Sequence, residues 1–182
     1  MEANDLIKLL LDGNQLKRTS RTGWSQRGIP NEENVAAHSF GVVFTTLVLC
    51  QYIGSSTLNL ERVLAMATLH DLPEGLTTDI PTPAWRYLPP NIKEDVERGV
   101  MKEILEDVSF GNELMVLWEE MNGRKTSESK LVHDADKLDM FLQALMYEKQ
   151  FGNVQLAEFW ETPHTFYFAE CQAIYEELRA RR

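Results

Sequence analysis

Two histidines and two aspartates, spread along the chain, have the side chains needed to bind one divalent metal ion. They are His38, the adjacent pair His70 and Asp71, and Asp136. Two imidazoles and two carboxylates make a mixed nitrogen and oxygen donor set, which suits a borderline or hard divalent cation whose remaining positions are filled by solvent. The set therefore indicates a site for metal-assisted hydrolysis.

Each of these residues, taken singly, has a simpler explanation. His38 lies one turn into an otherwise apolar segment, where a hydrogen-bonded core histidine is common. His70 and Asp71 follow the next apolar segment, and a helix C-terminus favours a cationic histidine. Asp136 could lie on a solvated helix face, but its segment is apolar on most sides, which is typical of a mostly buried helix. A buried carboxylate needs a cation or several donors, so the four residues are more informative together than apart.

The elements that would position these residues follow from apolar spacing. Helical periodicity predicts helices over 34–52 and 59–72, which carry His38 and the His-Asp pair. Further helices are predicted around 6–10 and over 92–108, 112–121, 127–150 and 162–179. Residues 18–33 are predicted to be irregular, and the four prolines within 75–91 exclude a single helix there. Without repeats or linkers, the chain is predicted to be all-α and to form one domain over residues 1–182.

Composition and charge narrow the class of protein. The 182 residues are 43% hydrophobic and 25% charged, with a formal net charge of −10, which disfavours nucleic acid as a partner. Cys50 and Cys171 form no metal motif and imply no disulfide framework, which suits a reducing compartment. Glu2 and Asp5 stand where a signal peptide would be basic, and no apolar run approaches the length that a bilayer requires. We therefore expect a cytoplasmic protein without a membrane partner.

At the four candidate ligands the sequence resembles the HD-domain superfamily of metal-dependent phosphohydrolases, whose signature is His, then His-Asp, then a distant Asp. Segments 34–39 and 70–83 further resemble the two motifs of the bacterial branch that hydrolyses deoxyribonucleoside 5'-monophosphates. The resemblance implies an HD-domain helical bundle, a homodimer, and one divalent metal ion (Co, Mn, Mg, Fe, Ni or Zn) held by His38, His70, Asp71 and Asp136.

The same resemblance implies roles for four more residues. Glu74 matches the carboxylate that helps to activate the attacking water, and Asp79 matches the acidic residue that contacts the sugar. Trp24 lies where the family places an aromatic against the nucleoside. The family's arginine next to this aromatic is replaced here by Gly23, so Arg21 is the expected phosphate-binding residue.

Several assignments stay open from the sequence. Asp134 and Asp139 are rivals of Asp136 as the last ligand, and Arg18 and Arg27 are rivals of Arg21. The alternatives are a helix cap or surface carboxylate for Glu74, a turn residue for Asp79 and a core side chain for Trp24. His133 and His164 are interpreted as a polar helix residue and a structural residue, which favours one metal rather than two.

The hypothesis is hydrolysis of a nucleoside 5'-monophosphate, deoxy or ribo, to a nucleoside and phosphate by a metal-activated water. Two alternatives remain: an HD phosphohydrolase of nucleoside triphosphates or other phosphate esters, and a nucleotide-binding regulatory module with little turnover.

Overall fold

The computed structural model of the chain describes residues 2–54, 57–81, 84, 87–152 and 154–182. Within these residues the chain is helical and has no strand; an isolated antiparallel bridge joins Ser20 and Asn34. The all-α prediction is therefore confirmed. The helices named below are α1 (Ala3–Gln15), α2 (Thr22–Ser25), α3 (Val35–Ile53), α4 (Leu60–Leu69), α5 (Glu74–Thr77), α6 (Ile92–Leu105), α7 (Gly111–Gly123), α8 (Ser127–Phe151), α9 (Glu158–Glu161) and α10 (Ala169–Ala180).

The chain divides into two compact units. The first unit comprises Met1–Ser39 and Thr68–Glu119, and the second comprises Phe40–Ala67 and Glu120–Arg182. Each unit is described by itself below.

The first unit packs α1 and α6 against the short helix α5. Gly75 makes the approach of α1 possible, because a Cβ atom at this position would lie 3.0 Å from the carbonyl oxygen of Asp12. The packing places Glu74, the first residue of α5, in the interior with 5% of its surface exposed. The burial of this carboxylate therefore results from the packing of α1 and α6 against α5.

The second unit is built around α8, which packs against α10. Thr126 caps α8 by accepting a hydrogen bond from the amide of Ser129, and Gly152 ends the helix in the left-handed conformation that glycine adopts without strain. An aromatic cluster fills the space between the two helices. Its buried members are Phe141, Trp160, Phe166 and Tyr175.

Helix α3 corrects one expectation from the sequence. Its 19 residues are long and apolar enough, by length and composition, to cross a membrane. The sequence analysis missed this because His38, Ser39 and Thr46 interrupt the apolar run, although none of them carries a formal charge at neutral pH. A core helix passes the same test, so no location follows from it.

The C-terminal segment also differs from its prediction. The last helix begins at Ala169, and α9 precedes it. Asp134 accepts hydrogen bonds from the amides of Tyr167 and Phe168, at 3.0 and 2.9 Å, and so satisfies amides at the beginning of α10. Thr82 and Pro83, part of the second sequence motif, lie outside the described residues.

Candidate metal centre

His38 is held in place by the beginning of α3. The side chain of Asn34 accepts a hydrogen bond from the amide of Ala37 at 2.9 Å, which caps the helix, and its amide group donates to the carbonyl of Lys17. The amide of His38 then bonds to the carbonyl of Asn34 at 3.1 Å. The ring of His38 is thereby directed into the interior, where 1% of the residue is exposed.

His70 and Asp71 lie in the tight turn between α4 and α5. The amide of Leu72 bonds to the carbonyl of Leu69, and the amide of Glu74 bonds to the carbonyl of Asp71 at 3.0 Å. The turn therefore presents His70, Asp71 and Glu74 from one short stretch of backbone.

The three ligand candidates of the first unit meet around one point. The Oδ2 atom of Asp71 lies 3.2 Å from Nε2 of His70 and 3.6 Å from Nε2 of His38. The two imidazole rings are 5.4 Å apart and steeply inclined. One donor atom from each residue lies within 4.8 Å of the other two, which is the spacing of ligands around a shared cation.

The donor chemistry fits a divalent metal ion. Oε2 of Glu74 is buried and has no hydrogen-bond donor among the described residues. A buried oxygen without a donor is costly, and a cation satisfies it. His38, His70 and Asp71 would hold the ion through two imidazole nitrogens and a carboxylate oxygen, a combination found in mononuclear hydrolytic sites.

The surroundings shift the pKa values of the two carboxyl groups of the site in opposite directions. Burial raises the pKa of Asp71, but His70, His38 and Arg21 outweigh it and hold this pKa below its usual range. Burial, with Asp71 and Asp79 nearby, raises the pKa of Glu74 to about 9. A divalent cation bound beside Glu74 would lower its pKa again, because positive charge favours the carboxylate.

Arg21 belongs to the same site. Its Nη1 atom lies 3.5 Å from Oδ2 of Asp71, and its backbone amide bonds to the carbonyl of Glu33. Of its rivals, Arg27 donates to the carbonyl of Gly23 at 2.6 Å, and Arg18 is exposed. The position of Arg21 suits a phosphate contact, and that role remains a prediction.

Asp79 and Trp24 have structural partners. Oδ2 of Asp79 accepts a hydrogen bond from the amide of Thr22 at 2.8 Å, at the N-terminus of α2. Trp24 is 2% exposed, and its indole nitrogen donates to Glu33 at 2.9 Å. The core interpretation of Trp24 thus describes a real contact, and Asp79 binds the amide at the beginning of α2. The contacts of both residues with a nucleotide remain predictions.

Asp136 lies on α8 in the second unit, 3.2 Å from Nζ of Lys137. Its rival Asp134 is 1% exposed, and its carboxylate accepts hydrogen bonds from the amides that precede α10. Asp134 therefore has a structural role. The other rival, Asp139, lies close to Gly41, where a Cβ atom would overlap its carboxylate. Asp136 as the fourth metal ligand remains a prediction.

The sequence analysis missed Lys93 and Glu97, one turn apart on α6. Their side chains form an ion pair of 3.4 Å, and the charge of Lys93 interacts with Glu74 and Asp71. The spacing of four residues was a signal for the pair, but nothing in the sequence placed it beside Glu74.

The helical fold and the histidine-aspartate cluster define a metal-binding domain of the HD class. The HD domain family matches residues 13–174, so the chain belongs to this family.

Curated relatives and a solved structure agree with this assignment. The human protein named 5'-deoxynucleotidase HDDC2 is 32% identical to the chain, over 99% of this chain and 87% of its own. The zebrafish (Danio rerio) protein of the same name is 34% identical, over 92% and 83%. A conserved hypothetical protein from Pyrococcus furiosus has the same fold, with a TM-score of 0.82 at 38% identity over 96% of this chain and 99% of that one.

Proposed function

We propose that this protein is a metal-dependent 5'-deoxynucleotidase, which hydrolyses nucleoside 5'-monophosphates to a nucleoside and inorganic phosphate. The observation that carries the proposal is the convergence of His38, His70 and Asp71 on one point, with the buried carboxyl of Glu74 in the same turn. Relatives named 5'-deoxynucleotidase over nearly the whole chain support the choice of substrate.

The chemistry requires a nucleophilic water, a proton acceptor and stabilisation of phosphate charge. A divalent ion held by His38, His70 and Asp71 would supply Lewis acidity, which lowers the pKa of a water molecule. Glu74 accepts the proton of the attacking water through its buried Oε2 atom. Arg21 binds the phosphate oxygens with its guanidinium group, whose fork matches their geometry.

The reaction is a direct displacement. The water oxygen forms a bond to phosphorus and the bond from phosphorus to the 5' oxygen breaks. The nucleoside leaves as an alcohol after taking up a proton from Glu74, which replaces the one that the water lost. Burial of Glu74 lets its charge act with little screening by solvent.

Three finer features belong to the proposal: the metal ligands, the location and binding partners, and the oligomeric state. We propose one metal ion, with Asp136 as its fourth protein ligand, because the intervening histidine His133 is engaged with the carbonyl of Met121 at 3.0 Å. We propose that the enzyme binds neither nucleic acid nor a membrane, because its net charge is −10. We propose that it is cytoplasmic, because Cys50 and Cys171 are free and imply no disulfide framework.

A homodimer is proposed through an apolar stripe on α3 in the second unit. Phe40, Phe44, Leu47, Val48 and Tyr52 are exposed at helical spacing, and the rings of Phe40 and Phe44 stack 6.5 Å apart. A continuous exposed apolar surface of this kind marks an interaction site. A second copy is the occupant that we favour, because an acidic protein is repelled by an anionic bilayer surface.

The test of the enzymatic proposal is a phosphate-release assay. Protein supplied with Co²⁺, Mn²⁺ or Mg²⁺ is given deoxy- and ribonucleoside monophosphates and triphosphates. We expect phosphate from monophosphates, and a loss of kcat of at least about a hundredfold in Glu74→Gln. The control is Glu103→Gln, at an exposed position of α6, which should match the wild type.

The products separate the alternatives. Pyrophosphate or triphosphate released from nucleoside triphosphates would favour a triphosphate hydrolase. Nucleotide binding without turnover under any metal would favour a regulatory module. Equal rates in the wild type and Glu74→Gln would remove Glu74 from the mechanism.

A further inference from the structure

Lys93 occupies a place on α6 that helix stability alone does not favour. It is the second residue of the helix, in the first turn, where the helix dipole favours acidic residues such as the neighbouring Glu94 and Asp95. A cation in this position is unfavourable for the helix itself, which points to a role outside it.

The ion pair with Glu97 fixes the direction of the Lys93 side chain. Nζ of Lys93 lies 3.4 Å from Oε1 of Glu97, whose side chain is 14% exposed, whereas that of Lys93 is 47% exposed. A mostly buried carboxylate one turn further along therefore holds the ammonium group, while about half of the surface of the Lys93 side chain is open to solvent.

The packing of the first unit brings this pair to the metal centre. Helix α6 packs against α5, which begins at Glu74. The charge of Lys93 interacts with Glu97, Glu74 and Asp71. The ammonium group is therefore within electrostatic range of the two carboxyl groups of the site.

A phosphate ester needs cations in such surroundings. Asp71, Glu74, Asp79 and Glu97 are acidic, and each would repel a phosphate dianion. The proposed metal ion and Arg21 offset part of this charge, and a lysine ammonium is a well-established phosphate-binding group that acts as a point charge.

We infer that Lys93 binds the phosphate group of the substrate and that Glu97 is a positioning residue that holds Lys93 in place. The inference rests on the proposed function, because it names a further residue of that same site. It predicts that Lys93 contributes to the affinity for phosphate and not to the affinity for the nucleoside.

The experiment measures inhibition of the wild type and of Lys93→Met by inorganic phosphate and by a deoxynucleoside, with a deoxynucleoside monophosphate as substrate. We expect KM and the inhibition constant of phosphate to rise about tenfold in Lys93→Met, because the variant loses one charge-assisted hydrogen bond to the phosphate group. The inhibition constant of the nucleoside should stay within twofold. Lys93→Arg should restore most of the affinity, and Glu97→Gln should give a smaller rise than Lys93→Met.

Lys102→Met is the matched control, since Lys102 is an exposed lysine in the last turn of the same helix. It should leave all constants unchanged. Calorimetric titration of the Mg²⁺-supplemented proteins with phosphate gives a second readout that does not depend on turnover, and the melting temperature checks folding.

An unchanged phosphate constant in Lys93→Met would overturn the inference, as would an equal effect of Lys102→Met. Should Lys93→Met fail to fold, Glu97→Gln and Lys93→Arg decide. A raised phosphate constant in Glu97→Gln together with a near-wild-type constant in Lys93→Arg would support the inference, and a wild-type phosphate constant in Glu97→Gln would overturn it. A wild type that releases no phosphate from any monophosphate would instead refute the proposed function.

Discussion

Nε2 of His38 lies 3.6 Å from Oδ2 of Asp71, although the two residues come from separate segments of the chain. The contact joins the first turn of α3 to the turn that follows α4. It brings a nitrogen and an oxygen donor to the spacing that a metal ion bridges, and it is the contact on which the proposed chemistry depends.

Replacement of Asp71 tests this contact. We expect Asp71→Asn to lose bound metal and to lower kcat/KM at least about a hundredfold, because the amide is a neutral and weaker ligand. Metal should raise the melting temperature of the wild type and not that of the variant, since a ligand stabilises only the state that binds it. Asp107→Asn, which removes an exposed ion pair with Lys8, is the control and should behave as the wild type does. Retention of metal by Asp71→Asn would contradict the site.

The two aspartates of α8 should respond in opposite ways. Asp134→Ala leaves the amides of Tyr167 and Phe168 without their acceptor, so we expect a loss of about 3 kcal/mol in the free energy of unfolding with metal binding retained. Asp136→Ala should keep most of the stability and lose affinity for metal. Chemical denaturation and metal analysis of both variants provide the comparison, and metal loss in Asp134→Ala alone would assign the ligand to Asp134.

His133 should make the protein less stable in acid. Burial, and then Arg124, lower the pKa of its imidazole to about 4, below its value in the unfolded chain. The unfolded state therefore binds the proton more readily, and the stability present above pH 6.5 is lost as the pH falls towards 4. Between pH 6.5 and pH 4 we expect the free energy of unfolding to fall by roughly 2 kcal/mol less in His133→Gln than in the wild type. This figure allows for the partial exposure of the ring. Parallel denaturation midpoints of the two proteins from pH 7 to pH 4 would refute this assignment.

Two glycines at helical positions should respond oppositely to alanine. A Cβ atom on Gly111 would overlap the carbonyl oxygen of Leu105, a backbone atom that cannot move away cheaply, whereas a Cβ atom on Gly99 of α6 would meet nothing within 4 Å. We expect Gly111→Ala to lose about 2 kcal/mol of stability. Gly99→Ala should gain about 0.5 to 1 kcal/mol, because alanine is the better helix former. Thermal unfolding of the pair provides the measurement, and equal shifts would contradict the packing described at Gly111.

The oligomeric state should depend on the stripe of α3. The wild type should have twice the 20.9 kDa chain mass by light scattering, and Phe44→Glu should have the mass of one chain, because a charge is costly in an apolar interface. Val116→Glu, at an exposed apolar position of α7, is the matched control and should remain dimeric. A wild type of one chain mass would refute the dimer.

Most of the helices were predictable because their signal is local. The predicted segments 34–52 and 127–150 agree with α3 and α8 to within a residue or two. The last helix was predicted to begin too early, at 162, because its apolar spacing continues into a segment whose amides bind Asp134 instead. The sequence contained no sign of that contact, since it joins residues far apart in the chain.

The sequence by itself determined the helical class, the types of ligand and the family, because periodicity and motif spacing are properties of the chain alone. Only the tertiary structure decided that Asp71 meets His38, that Trp24 is buried against Glu33, and that Lys93 interacts with Glu74. The physical reason is that a helical period fixes which face a side chain occupies, whereas the partner of that face depends on how distant segments pack.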